Sequence, residues 1–184
     1  EPNLDYQHTA IEAVCDLFRG QEICRTEFTV TRDAMSPQLT MAFAQNDLGI
    51  GNRLQLLDDE MLANLGDIQL RNGLRPSAAL ASGDFTVEME TGTGKTYVYL
   101  RTIFELSRKY GFQKFIIVVP SVAIREGVLK NIQITAEHFR ALFNNLSFEH
   151  FVYDARKINR LRQFAVSNTL QILIINIDAF RKNF

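Results

Sequence analysis

Met89-Glu90-Thr91-Gly92-Thr93-Gly94-Lys95-Thr96 decides the reading of this chain. An apolar run, Phe85-Thr86-Val87-Glu88-Met89, precedes the turn, and a helix-forming stretch, Tyr97 to Lys109, follows it. Strand, glycine-rich turn and helix together make the context of a phosphate-binding loop. Glycines at 92 and 94 let successive backbone N–H groups converge on one oxyanion. The helix start adds partial positive charge at the same point. Lys95 is placed to neutralise β- and γ-phosphates, and the Thr96 hydroxyl to ligate Mg²⁺. The general motif has glycine where this chain has Met89.

Working outward, the chain alternates with βα regularity from residue 85. Phe85–Glu90 is read as a strand entering the loop, and Lys95–Lys109 as a helix ended near Gly111. Phe115 to Val119 is an apolar run of the kind buried in a parallel sheet, closed by Pro120, which cannot donate to a ladder. Two helices, Val122–Asn131 and Ala136–Asn144, are expected next. A strand Phe148–Tyr153 follows, with Asp154 capping a helix to about Phe164, and then a buried strand Leu170–Ile175. This pattern predicts an α/β domain with a parallel sheet and helices on both faces.

Upstream, Leu4 to Arg19 has helical period, with Ile11, Val14, Cys15 and Phe18 on one face and Gly20 as a stop. Phe28 to Thr31 reads as a short strand, Met41 to Arg53 as loop, and Leu54 to Leu65 as a helix ended by Gly66. The expected division is an N-terminal helix plus insertion over 1–75 and a phosphate-loop domain over 76–184. Asp58-Asp59-Glu60 reads as a solvated helix start.

The 184 residues, 46% hydrophobic, suit a soluble globular chain with one sizeable core. No apolar stretch is long enough to span a bilayer, and no secretory leader opens the chain. Cys15 and Cys24 show no pairing pattern and read as reduced thiols of a cytoplasmic protein. His8, His138 and His150 lack metal-ligand spacing. The net charge of −1 conceals an asymmetry. Residues 1–100 hold 7 Lys/Arg and 15 Asp/Glu, and residues 101–184 hold 13 and 6. A basic half can face nucleic acid while an acidic half does not.

Three further groups of residues accompany the loop. In Leu4-Asp5-Tyr6-Gln7, a glutamine amide can both donate and accept, which suits the Hoogsteen edge of adenine, and Tyr6 can pack on the base. Val118-Val119-Pro120-Ser121, with Arg125, lies at the C-terminal end of a sheet strand, where ligands bind in open α/β sheets. Pro120, Ser121 and Arg125 are expected to hold a nucleic-acid backbone there. Asn176, in Ile174 to Phe180, occupies the corresponding exit of another strand.

These residues resemble the first RecA-like domain of superfamily 2 helicases, and more closely the Res subunit of type III restriction–modification enzymes. The likeness rests on Met89 to Thr102, Tyr110-Gly111-Phe112, Ile116 to Gly127 and Asn176 to Phe180. It implies a RecA-like fold, ATP and Mg²⁺ as cofactors, and duplex DNA and a DNA-methyltransferase (modification) subunit as partners. It also implies ATP hydrolysis coupled to movement or switching on DNA before cleavage. Gln7 with Tyr6 then selects adenine; Thr91, Gly92, Thr93, Gly94 and Lys95 hold phosphates; Thr96 holds Mg²⁺. No Asp-Glu box follows within these residues, since no Glu follows Asp178-Ala179, so the chain is read as the N-terminal, by itself inactive, piece of a larger motor subunit. A type I restriction motor, a repair helicase, a non-hydrolysing nucleotide-binding module and a small-molecule kinase are the competing readings.

Overall fold

The computed structural model describes residues 4–30 and 47–183. Helix α1 (Asp5–Leu17) is followed by an antiparallel hairpin, β1 (Arg25–Val30) with β2 (Asp47–Asn52), and by helix α2 (Asp58–Arg71). The phosphate-loop half contains α3 (Lys95–Tyr110), β3 (Lys114–Val119), α4 (Val122–Leu142), β4 (Phe148–Val152), α5 (Ile158–Val166), β5 (Leu170–Asn176) and α6 (Ile177–Asn183). Strands β3, β5 and β4 form a parallel sheet in that order. The expected α/β architecture is therefore present.

Strand β5 lies between the other two, which is why Leu170 and Ile172 to Ile175 are all at most 2% exposed. Apolar side chains alternate to both faces, and both must be covered. Leu100, Ile103 and Phe104 of α3 and Val128, Ile132 and Phe139 of α4 cover one face, meeting Ile172 and Ile174. Phe104 stacks on Phe139 at 4.7 Å between centroids and meets Phe148 edge-on at 4.9 Å. On the opposite face, Phe164 of α5 meets Phe151 edge-on at 5.9 Å. A second cluster joins Ile11 and Cys15 of α1 to Val98 and Leu106 of α3 and to Phe112. Burial pushes the Cys15 thiol up to about 11, so it packs as an apolar group.

Several expectations need correction. Phe85–Glu90 is not a strand: the segment pairs with no described strand, and Phe85 and Val87 are exposed. Val87 and Met89 instead line an apolar groove of about 430 Å³ that also reaches Ile116 of β3. The two expected helices after Ser121 are one, α4. Thr135 donates to the Asn131 carbonyl at 2.7 Å and Asn131 to the Gly127 carbonyl at 2.9 Å, so polar side chains bond back along the helix instead of breaking it. Helix α2 runs through Gly66 and stops at Gly73, whose φ of +72° ends the right-handed turn. Gly49 and Gly51 lie in strand β2, not in a loop: the Phe28 ring of β1 lies over them, 2.4 Å from where a Cβ on Gly49 would stand. The Met41–Asn46 part of that loop expectation lies outside the described residues. Asp58 to Glu60 form the exposed first turn of α2, where Glu60 accepts from the Leu57 N–H at 2.9 Å.

Candidate nucleotide and nucleic-acid sites

Helix α3 leads through a short turn into β3, so its N-terminus lies toward the C-terminal ends of the sheet strands. The loop from Glu90 to Gly94 closes that end. Gly92 and Gly94 have φ of +81° and +82°, a region open to glycine at little cost. A Cβ on Gly92 would meet nothing within 4 Å, so this side of the loop faces open space. Met89 has no positive φ, and its side chain packs against the α1–α3 cluster. Glycine is therefore not required there, which accounts for the departure from the general motif.

The loop is held from within and from α1. Thr93 donates its hydroxyl to the Glu90 carbonyl at 2.6 Å, and Lys95 Nζ donates to the same oxygen. Thr96 hydrogen-bonds the Tyr99 hydroxyl, whose pKa is raised by burial and partly lowered by that contact. Gln7 is 6% exposed and donates from Nε2 to the Thr93 carbonyl at 2.9 Å. A Cβ on Gly94 would stand 2.8 Å from that same Nε2. Gln7 Oε1 is buried without a partner among the described residues, leaving one acceptor at the loop. Tyr6 points away and is 46% exposed, since neighbouring helical residues diverge by about 100°. The fit to a nucleoside triphosphate is good on this donor set. Open space over Gly92, a cationic amine at the loop and the oxygen of the Thr96 hydroxyl match phosphate and a hard cation. Among the described residues no group of three or more His, Cys, Asp or Glu is arranged to hold a metal.

The second group lies at the ends of β3 and β5. Pro120 is exposed just past β3. Ser121 caps α4, its Oγ accepting from the Ile124 N–H at 3.3 Å. Arg125 pairs with Glu126 at 2.9 Å and, with Asn176 at the end of β5, lines a polar trough of about 570 Å³. The trough also holds Asp154, Arg156, Lys157 and Lys182, none of which the sequence singled out for binding. The signal in the sequence was the Arg156-Lys157 pair after a strand. Asp154 does not cap α5 directly: its Oδ1 accepts from the Arg156 N–H at 3.0 Å, and Lys157 holds the cap position.

A family model described as "Type III restriction enzyme, res subunit" matches residues 3–184. The chain is similar to the Type III restriction-modification enzyme EcoP15I Res subunit of Escherichia coli, 32% identical over 145 residues, covering 76% of this chain and 13% of that protein. It is similar to the EcoPI Res subunit of Escherichia phage P1, 31% identical with the same coverage. The StyLTI Res subunit of Salmonella typhimurium is 38% identical over 107 residues, covering 49% of this chain and 11% of that protein. The chain thus spans only a small part of the length of these relatives. It belongs to the type III restriction enzyme Res subunit family.

Proposed function

We propose that this member of the Res family forms the ATP-binding part of a DNA-dependent motor in a type III restriction endonuclease. The observation that carries the reading is the left-handed pair Gly92 and Gly94 ahead of α3, braced by Gln7 and flanked by Lys95 and Thr96. Lys95 exchanges the Glu90 carbonyl for phosphate oxygens, and the loop amides orient the triphosphate. Mg²⁺, held by Thr96, supplies charge neutralisation on the β- and γ-oxygens when bound. Gln7 Oε1 accepts from the adenine amino group while its amide stays on Thr93. Pro120, Ser121, Arg125 and Asn176 hold duplex backbone at the neighbouring strand ends. In the whole protein, hydrolysis drives movement or switching on DNA before cleavage, alongside a modification methyltransferase, in the cytoplasm. Among the described residues no helix is long and apolar enough to cross a membrane.

DNA-stimulated phosphate release by the full-length protein tests this. Lys95→Ala should remove turnover and cost about 1.5–3 kcal/mol of nucleotide affinity, the worth of a charged hydrogen bond. Unchanged turnover and affinity in that variant would sink the reading. ATP should exceed GTP by roughly 1–3 kcal/mol, because guanine presents an acceptor where Gln7 Oε1 needs a donor. Equal use of both removes the role given to Gln7. Residues 1–184 alone should release no phosphate, with or without DNA, because transition-state charge needs groups beyond a phosphate loop.

A further inference from the structure

The polar trough lies at the ends of β4 and β5, and Arg125 of α4, Asn176, the turn after β4 and Lys182 of α6 all line it. The turn is fixed before any ligand arrives. Tyr153 N–H donates to the Ile174 carbonyl at 2.9 Å, which extends the β4–β5 ladder by one residue. Lys157 N–H then donates to the Asp154 carbonyl at 2.9 Å, and Arg156 N–H to Asp154 Oδ1 at 3.0 Å. One backbone donor thus ties the turn to the sheet at Tyr153, and two more close the turn on Asp154.

Charge in the trough is unbalanced. Arg125, Arg156, Lys157 and Lys182 line it with two carboxylates, Asp154 and Asp178, and Arg125 is further paired with Glu126, so the excess rests on the turn and Lys182. The Asp154 carboxylate is engaged by the turn it organises, lying 3.4 Å from Arg156 Nε and 3.8 Å from Lys157 Nζ. Its pKa is held below the ordinary carboxylate value, first by the Arg156 N–H. Even so, the Arg156 and Lys157 side chains are 93% and 63% exposed, so they remain available for an incoming anion. The cations are spread over α4, the turn and α6 instead of converging on one point. That spacing suits a chain of phosphates better than a single compact anion.

We propose that the Asp154–Lys157 turn, with Lys182, lines the same phosphodiester-binding trough as Arg125 and Asn176. The proposal rests on the reading that Arg125 and Asn176 meet DNA, and it adds Arg156, Lys157 and Lys182 as backbone contacts. Arg156 and Lys157 contact phosphates without reading bases, so their loss weakens binding equally on unrelated sequences.

The test uses the full-length protein and a fluorescein-labelled duplex, with affinity read by anisotropy over a range of salt concentrations. Arg156→Ala/Lys157→Ala should lower the slope of log affinity against log salt by about 2, near one per lost phosphate contact. A control, Arg108→Ala/Arg140→Ala, removes two cations that lie outside the trough, each paired with a glutamate on its own helix. It should leave the slope unchanged. A third variant, Arg125→Ala/Asn176→Ala, tests the contacts on which the proposal rests. If only this third variant lowers the slope, the role given to the turn is wrong and the DNA reading stands. If neither trough variant lowers it, the DNA reading itself fails and the trough serves another partner, such as an acidic protein. If the control lowers the slope as much as the Arg156/Lys157 variant, the effect is bulk charge and the proposal is overturned.

Discussion

The two ends of the parallel sheet carry the same kinds of residue and use them in opposite ways. At the N-terminal end polar side chains bond to one another and to backbone. Asn52 accepts from the N–H groups of Gln113 and Lys114 at 2.7 and 3.0 Å and donates to the Lys114 carbonyl at 2.7 Å. Buried Gln171 donates to Ser167 and Thr169 hydroxyls at 3.0 and 2.9 Å. Lys114 Nζ is tied to the Ser167 carbonyl, with Phe164 5.6 Å away. At the C-terminal end, Gly92 faces open space, Gln7 keeps a spare acceptor, and Arg156 and Lys157 extend into solvent. Internal bonding marks the end that holds the fold together. Polar groups with spare capacity, fixed in place by backbone, mark the end proposed to meet ligands.

Substitutions can break or sharpen this contrast. The largest effect is expected at the open end. Gly94→Ala puts a side chain at φ +82° and within 2.8 Å of Gln7 Nε2. Forcing a non-glycine residue into that region costs about 1–3 kcal/mol unless the loop rearranges, and that rearrangement should appear as weakened nucleotide binding in calorimetry with little change in melting temperature. A fall in stability with binding intact would place Gly94 among the structural residues instead. At the closed end the outcome should invert. Asn52→Ala frees three backbone groups at the β3 edge, where water can partly replace the amide, and should cost about 1–2 kcal/mol in urea unfolding while leaving nucleotide affinity alone.

Ser121→Ala lies between the two ends in character. Loss of the α4 cap should cost about 1 kcal/mol of stability. A salt-dependent loss of DNA affinity beyond that would show the hydroxyl also serves the ligand. The smallest expected signal is a pH dependence at Lys114. Burial lowers its pKa from the ordinary value to about 8, with the nearby Glu149 opposing the shift. The unfolded chain then binds more protons than the folded one between pH 8 and the ordinary lysine value of about 10.4. Stability of the parent relative to Lys114→Met should therefore be lowest below pH 8 and rise across that window. A flat difference in chemical denaturation would show that the ammonium is not desolvated.

Legibility followed the range of the physics involved. The phosphate loop and the runs at β3 and β5 were readable because turn chemistry and burial on both faces act locally. Glycine at 92 and 94 reports a backbone angle directly. The segment Phe85–Glu90 misled because its composition favours a strand, whereas a ladder needs a neighbour that composition cannot name. The gap left between Asn131 and Ala136 is helical, and within it the Thr135 hydroxyl bonds the Asn131 carbonyl. Asn52 and Gln171 carried no signal, since an amide that clips a sheet and one on the surface are the same letter. Gln7 was picked out for its amide, but its burial against Thr93 became visible only once α1 lay on α3.

The order β3-β5-β4 also sets a timetable. Among the described residues, β3 and β4 pair with β5, the last of the three in sequence, and not with each other. During synthesis from the N-terminus, no ladder of this sheet can close before Leu170–Asn176 has left the ribosome. Until then Ile116 to Val119 and Phe148 to Val152 lack the β5 partner they have here, a condition that favours aggregation and chaperone capture. Folding of this half is thereby deferred to a single late event, in which one strand joins two that have been waiting.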